Sequence, residues 1–210
     1  MSEFIIELRR RFWRATMLGL PRGMHMTRYS MYRRLTEVGK QLRSQVASGL
    51  SISHSKHLMD MMGVKPAQIT EANYPEYTIT SLPFENDQFD IVTSDQVFEH
   101  VEGDPFTAME ESRRVLKPGG IAVHTTVFAF PVHGSPSDFW RYTPDALRLL
   151  CRKFSNVIEC GGWGSFEALQ WMRRGLHFDP VPHATWHPLH KVATRTDPEW
   201  PIVTWIVAQK

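Results

Sequence analysis

The chain has 210 residues, 42% of them hydrophobic and 22% charged, with a formal net charge of +2. That is the make-up of an ordinary globular protein long enough to bury a core, and no run of about eighteen apolar residues exists to cross a membrane as a helix. Two cysteines, Cys151 and Cys160, are too few for a disulfide framework. The start, Met1 to Leu8, has acids at Glu3 and Glu7 where a signal peptide needs bases, and no long apolar region, so the expected location is cytoplasmic.

Charge is uneven. Residues 1–44 hold ten Lys and Arg against three Asp and Glu. Phe4, Ile5, Leu8, Phe12 and Trp13 recur at helical spacing, with Arg9, Arg10, Arg11 and Arg14 on other faces. Tyr32, Leu35, Val38 and Leu42 predict a second helix over 27–42. Together these form a basic helical extension, 1–44. It either docks on the α/β domain C-terminal to it or contacts a partner protein or a membrane surface; no motif supports nucleic-acid binding.

From 45 onward the pattern alternates strand and helix. A weak strand over 45–53 precedes a short helix over 56–62, a turn, and a second strand ending at Glu71. Residues 73–81 read as a direct return into a short edge strand. Phe89 to Thr93 is a buried strand by its β-branched and apolar run. Asp104 is placed as an N-cap and Pro105 at the first helical position, opening a helix that ends near Lys117. Pro118-Gly119-Gly120 stops it, and 121–127 returns as a strand, which makes a βαβ crossover in a parallel sheet. Thr143 and Pro144 open another helix through Leu150. A strand over 156–160, a turn at Gly161-Gly162-Trp163-Gly164, a helix over 166–174, an irregular stretch over 177–197 and a last strand over 201–208 complete the chain.

Three groups of residues carry this unit. Leu82-Pro83-Phe84 with Phe89-Asp90-Ile91-Val92 is succeeded by Phe98-Glu99-His100-Val101 and by Arg114-Val115-Leu116-Lys117-Pro118-Gly119-Gly120. They resemble the core signature of class I S-adenosylmethionine-dependent methyltransferases, the type-11 methyltransferase domain group. The segment from Pro131 through His133, Ser135 and Asp138 to Pro144 is similar to the stretch C-terminal to that signature in a bacterial subset. The resemblance runs from about 50 to 210. It implies an α/β, Rossmann-like sheet of seven strands over 45–210, parallel except for the last strand, which inserts beside the penultimate one.

The resemblance also implies site roles. Ser51, Ser53, His54 and Ser55 stand where the family has an acid and a Gly-rich loop beneath the methionine part of S-adenosylmethionine. Glu71 stands at the ribose-binding acid, Ser81 and Leu82 near the adenine, and Ser94, Asp95 and Gln96 at the strand end facing the cofactor. Serines and a histidine replace every expected glycine of the first turn, and Thr78 stands where many members have Asp. Glycine serves there because backbone must approach the ligand and adopt φ > 0. A methyltransferase-like binding or scaffold module that has lost the cofactor is therefore the rival expectation. A nicotinamide-dependent oxidoreductase is disfavoured by the missing Gly-x-Gly-x-x-Gly turn.

Methyl transfer to a hydroxyl needs alignment and a base. His133 is the first candidate base, with His100 and then His124 behind it, because imidazole titrates near neutrality. Asp138, Trp140, Arg141 and Tyr142 form an aromatic and charged set suited to a small-molecule, saccharide or lipid-linked acceptor; the alternative is that Trp140 is core and Arg141 pairs with Asp138. His177, His183, His187 and His190 are spaced around prolines without a nearby Cys or carboxylate at ligand spacing, so no metal site is expected.

Overall fold

The computed structural model describes residues 3–134 and 136–210, without the side chain of Glu3; the expectations placed on Met1, Ser2 and Ser135 lie outside these. Before the sheet come α1 (Glu3–Thr16), β1 (Arg22–His25) and α2 (Met26–Gly39). The α/β unit then runs β2 (Gln45–Ile52), α3 (Lys56–Met61), β3 (Lys65–Ala72), β4 (Phe89–Asp95), α4 (Pro105–Val115), β5 (Leu116–Val127), α5 (Pro144–Leu150), β6 (Asn156–Trp163), α6 (Phe166–Trp171), β7 (Pro180–Pro182), α7 (Pro188–Thr194) and β8 (Val203–Gln209).

Six strands form the main sheet, in the order β3-β2-β4-β5-β8-β6. β2 pairs in parallel with β3 and β4, and β4 with β5. β8 runs antiparallel to both β5 and β6, so the inserted antiparallel last strand is as expected. The seventh strand is not there: over 73–81 only an isolated bridge joins Thr78 and Ser81. The Tyr77 N–H folds back on the Asn73 carbonyl, and Pro75 has no N–H to give a ladder. That chain arches over the strand ends instead of extending the edge.

Other boundaries differ for local reasons. Gly161 and Gly162 continue β6 rather than turning, paired with β8, where a Cβ at either would press on Trp205 or on Pro201 and Thr204. The stretch expected to be irregular contains β7, which pairs with β1 as a separate two-stranded sheet, and α7, which Pro188 opens and His187 caps through Nδ1. Proline at the first helical position starts a helix rather than breaking one. The predicted caps Asp104 and Thr143 accept from the Phe106 and Ala146 N–H groups.

Successive sheet residues bury on opposite faces, as a pleated strand requires. Ile91, Val123 and Val207 join α2, α3, α6 and α7 in one core. Val92, Ala122 and Ile206 join α4 and α5 in the other. Arg114 ties the second of these layers to the chain before β4: its guanidinium donates to the Leu82 and Phe84 carbonyls, to Asn86 and to the Glu111 carboxylate.

The two N-terminal helices differ. α2 buries Met26, Tyr29, Met31, Tyr32, Leu35 and Val38 against the sheet layer. α1 docks through Trp13, whose ring lies tilted 4.7 Å from that of Trp171, and through Arg10 and Arg14, which reach the buried Asp179. Its Phe4, Leu8 and Phe12 face solvent. Among the described residues no helix is long and apolar enough to cross a membrane.

Gly39 marks the closest approach of α2 to α3, because a Cβ there would fall on the Met62 carbonyl. Backbone cannot yield as a side-chain tip can, so Gly39→Ala should destabilise the fold by about 1–3 kcal/mol, the usual cost of overpacking. Urea unfolding at neutral pH reads this directly; an unchanged midpoint would contradict the packing described.

Candidate active site

The parallel strands β2, β3 and β4 end together, and a cleft of about 480 Å³ opens at their C-terminal ends, where an open α/β sheet places its ligand. Its walls include Ile79 and Val97, the rings of Tyr74 and Tyr77, and the polar Asp95 and Gln96. The size suits a small-molecule cofactor. After β2 the backbone turns through Ser53 and His54, both left-handed at φ 50° and 62°. The turn therefore keeps the conformation glycine normally supplies, using residues that adopt it at a cost. The Ser53 N–H donates to the Ala72 carbonyl and the His54 N–H to Asn73 Oδ1, which pins the turn to the end of β3. Glu71 sits beside it, its Oε2 3.6 Å from His54 Nδ1 and 3.2 Å from Asn73 Nδ2.

Asp95, at the end of β4, is the hub of this end. Its carboxylate accepts from the Tyr32 and Thr125 hydroxyls and from His57 Nε2 at 2.9 Å, and Arg28 Nε lies 3.9 Å away. Burial pushes its pKa up, but the His57 bond, the Arg28 charge and the two hydroxyls outweigh burial and hold it at about 2. The same hydrogen bond raises His57. Burial and the adjacent Asp95 charge raise the Tyr32 phenol, so Tyr32 stays protonated and donates to Asp95. Tyr32 and Arg28 come from α2 and His57 from α3. None of the three stands out in the sequence as a site residue. Tyr32 reads there as one more apolar helix position, and nothing in local spacing links residues 32, 57 and 95.

The other sequence-derived candidates separate clearly. Ser53, His54, Asp95, Gln96 and His100 line the cleft, and Gln96 Oε1 is buried there without a partner. Ser51, Ser55 and Ser94 are fully buried in the strand ends: Ser55 Oγ accepts from the Asp95 N–H and donates to the Ile52 carbonyl, and Ser94 pairs with His124 Nδ1 at 2.7 Å. Leu82 is core, and its N–H is held by Glu111; Ser81 is exposed. Of the acceptor set, Asp138 and Arg141 are bound to each other, Tyr142 is buried with its hydroxyl donating to the Phe98 carbonyl, and Trp140 is partly exposed with Nε1 donating to the Val101 carbonyl. This quartet shapes the loop; its neighbours Pro136, Ser137 and Phe139 reach the cleft.

His100 and His133 face each other with ring centres 5.0 Å apart. His100 Nδ1 donates to the Ser137 carbonyl. His133 Nδ1 donates to the Pro131 carbonyl and lies 3.2 Å from Asp138 Oδ2. Beside them Glu99 is fully buried; one oxygen accepts from the Thr126 hydroxyl and the other, Oε1, has no partner. Burial raises its pKa to about 7. His177, His183, His187 and His190 do not converge on a common point: His183 and His190 bond to Tyr29, His187 to Thr16, and the His177 ring lies tilted against Phe178.

Known proteins share this architecture. Residues 40–124 match the model of the methyltransferase domain family. An uncharacterized methyltransferase of Schizosaccharomyces pombe is 40% identical over 57 residues, which amount to 27% of this chain and 20% of that relative. A SAM-dependent methyltransferase from Archaeoglobus fulgidus has the same fold at 13% identity, with a TM-score of 0.52 over 86% of this chain and 93% of the other. The (4+2)-cyclase SpnF aligns with a TM-score of 0.52 at 17% identity over 84% and 80%, a reminder that a fold does not dictate its chemistry. What fold and cleft define is a class of architecture: an α/β sheet with a cleft at its strand ends, shared with a SAM-dependent methyltransferase structure, in which residues 40–124 match the methyltransferase domain model. The matched residues include the glycine-free first turn.

His124 offers a pH test of the strand ends. Burial lowers its pKa to about 3, whereas in the unfolded chain it titrates near 6.5. Between those values the unfolded state binds more protons, so the folded state loses stability as pH falls. The stability difference between the natural chain and His124→Leu should therefore shift against the natural chain by about 1.4 kcal/mol per pH unit below about 6.5. Urea titrations at several pH values measure it, and a pH-independent difference would refute a neutral buried ring.

Proposed function

We propose that the chain transfers a methyl group from S-adenosylmethionine to a hydroxyl oxygen of a small molecule, a saccharide or a lipid-linked intermediate. The observation that carries the oxygen assignment is the His100–His133 pair beside the cleft, with each Nδ1 spent on a carbonyl. A neutral imidazole that donates from Nδ1 keeps a free lone pair on Nε2. Such a nitrogen can take the proton that a hydroxyl must lose on methylation and an already deprotonated acceptor need not.

The chain's residues suit the cofactor. Glu71 has a second carboxylate oxygen, besides the one held by Asn73, to accept from a ribose diol. Ile79, Val97, Tyr74 and Tyr77 give an apolar and aromatic enclosure for a purine, and the ionised Asp95 favours a neighbouring cation. When bound, the cofactor supplies an electrophilic methyl carbon on a sulfonium sulfur. The protein's part is then to hold the acceptor oxygen in line, keep water out and receive the hydroxyl proton at His133 or His100.

Calorimetric titration of the full chain with S-adenosylmethionine tests the first half. Binding heat and thermal stabilisation are expected, and Glu71→Ala should weaken binding by about 1.5–3 kcal/mol, the value of a charge-assisted hydrogen bond. No heat and no stabilisation at millimolar cofactor would sink the enzyme reading in favour of a cofactor-free module. Transfer of a labelled methyl group to a panel of sugars, glycolipids, amines and thiols tests the second half. Hydroxyl acceptors should be labelled, with turnover in His133→Ala reduced about 10²–10⁴-fold and cofactor affinity unchanged; labelling of amines or thiols alone would refute the oxygen assignment.

A further inference from the structure

We propose that Glu99, His100 and His133 form a site for a divalent transition-metal ion, a two-histidine, one-carboxylate set at the edge of the cleft. Each of the three residues offers a ligand atom, and these atoms lie within 4.8 Å of one another. Glu99 and His100 lie just past β4, and His133 lies in the loop after β5, so two strand ends converge on the point. The two histidines are far apart in the chain, which is why no ligand spacing shows in the sequence.

Two independent features distinguish this cluster from a chance meeting of polar groups. Glu99 is fully buried, yet its Oε1 has no hydrogen-bond partner. Leaving such an oxygen unmatched is costly unless something else satisfies it. Both imidazoles also carry the kind of hydrogen bond that metal-ligating histidines carry. The ring N–H of a ligating histidine is characteristically given to a carbonyl or carboxylate, leaving the other nitrogen for the ion. His100 Nδ1 has the Ser137 carbonyl, and His133 Nδ1 has the Pro131 carbonyl together with Asp138. Asp138 is in turn fixed by Arg141 and by the His133 N–H. The acceptor loop thereby becomes the supporting layer of the site.

Two imidazoles with one carboxylate favour zinc or a comparable first-row ion over magnesium or calcium, which prefer all-oxygen ligands. Three protein ligands leave a position open. This role rests on the methyl-transfer reading above: an acceptor hydroxyl in the open position would be acidified by the ion and lose its proton to solvent. Without the ion the histidines are themselves the bases; with it bound they act on the hydroxyl through the ion. As the acceptor oxygen bonds to the methyl carbon, the carbon–sulfur bond breaks and its electron pair stays on sulfur.

The test uses the full chain, stripped with a chelator and titrated with Co²⁺, whose visible absorption reports its ligands. Expected are one equivalent bound, bands of a low-symmetry site of low coordination number, and their loss on adding Zn²⁺. His133→Ala should abolish the bands, while His177→Ala, a histidine outside the cluster, should keep them; circular dichroism checks that each variant is folded, and His100→Ala serves if His133→Ala is not. Absence of bands in the natural chain, or bands that survive both His133→Ala and His100→Ala, would overturn the proposal. Calorimetry with S-adenosylmethionine on the same stripped protein keeps the two readings apart: cofactor binding without Co²⁺ binding sinks only the metal site, and Co²⁺ binding without cofactor binding sinks only the methyl-transfer reading.

Discussion

The strand ends are held by the Asp95 carboxylate. A buried negative charge is expensive unless each of its oxygens is matched, and here three elements supply the matching groups: Tyr32 and Arg28 from α2, His57 from α3, and Thr125 from β5, the strand paired with β4. The donors fix more than a side chain. They set where α2 crosses the sheet, hold α3 behind the turn at Ser53 and His54, and keep the end of β4 at the edge of the cleft. The basic N-terminal segment is thus part of the site's construction, and some of its positive charge is spent inside the molecule: Arg28 stands by Asp95, and Arg10 and Arg14 reach Asp179.

How much of this the sequence discloses depends on the range of the interactions involved. Caps are local, so Asp104 and Thr143 are legible, as are β4, α4 and the antiparallel last strand. The missing edge strand is not legible, because 73–81 carries aromatic and β-branched residues that suit a strand as well as they suit a cleft wall. Gly161 and Gly162 read as a turn by composition, whereas the bulk of Trp205 and Thr204 across the ladder dictates an extended backbone with no Cβ. Among the site residues, those next to the signature, Asp95, Gln96 and His100, fall where strand-end logic puts them. Ser51, Ser55 and Ser94 are neighbours of cleft residues in sequence but point inward, and a one-residue difference in a strand decides between cleft and core. The Asp95 network and the Glu99 cluster depend on contacts between residues far apart in the chain, and no periodicity records those.

The first turn also changes what glycine absence means. Composition suggests a turn that can no longer take the required shape. The backbone takes it regardless, because two N–H groups are pinned to β3 and the chain around Asp95 holds the turn from beneath. Strain is tolerated where the surroundings over-determine it, and the consequence is a cleft floor that carries a hydroxyl and an imidazole where glycines would present bare backbone.

Arg114 shows a different kind of information in a motif. Its guanidinium serves two carbonyls, an amide oxygen and a carboxylate at once, which uses the planar fork rather than the charge. A lysine at this position would keep the electrostatics and lose the shape, since its ammonium is a compact point with three donors. A position that looks merely basic is in fact a joint, and the loop from Leu82 to Asn86 takes its course from the directions in which that one flat group can donate.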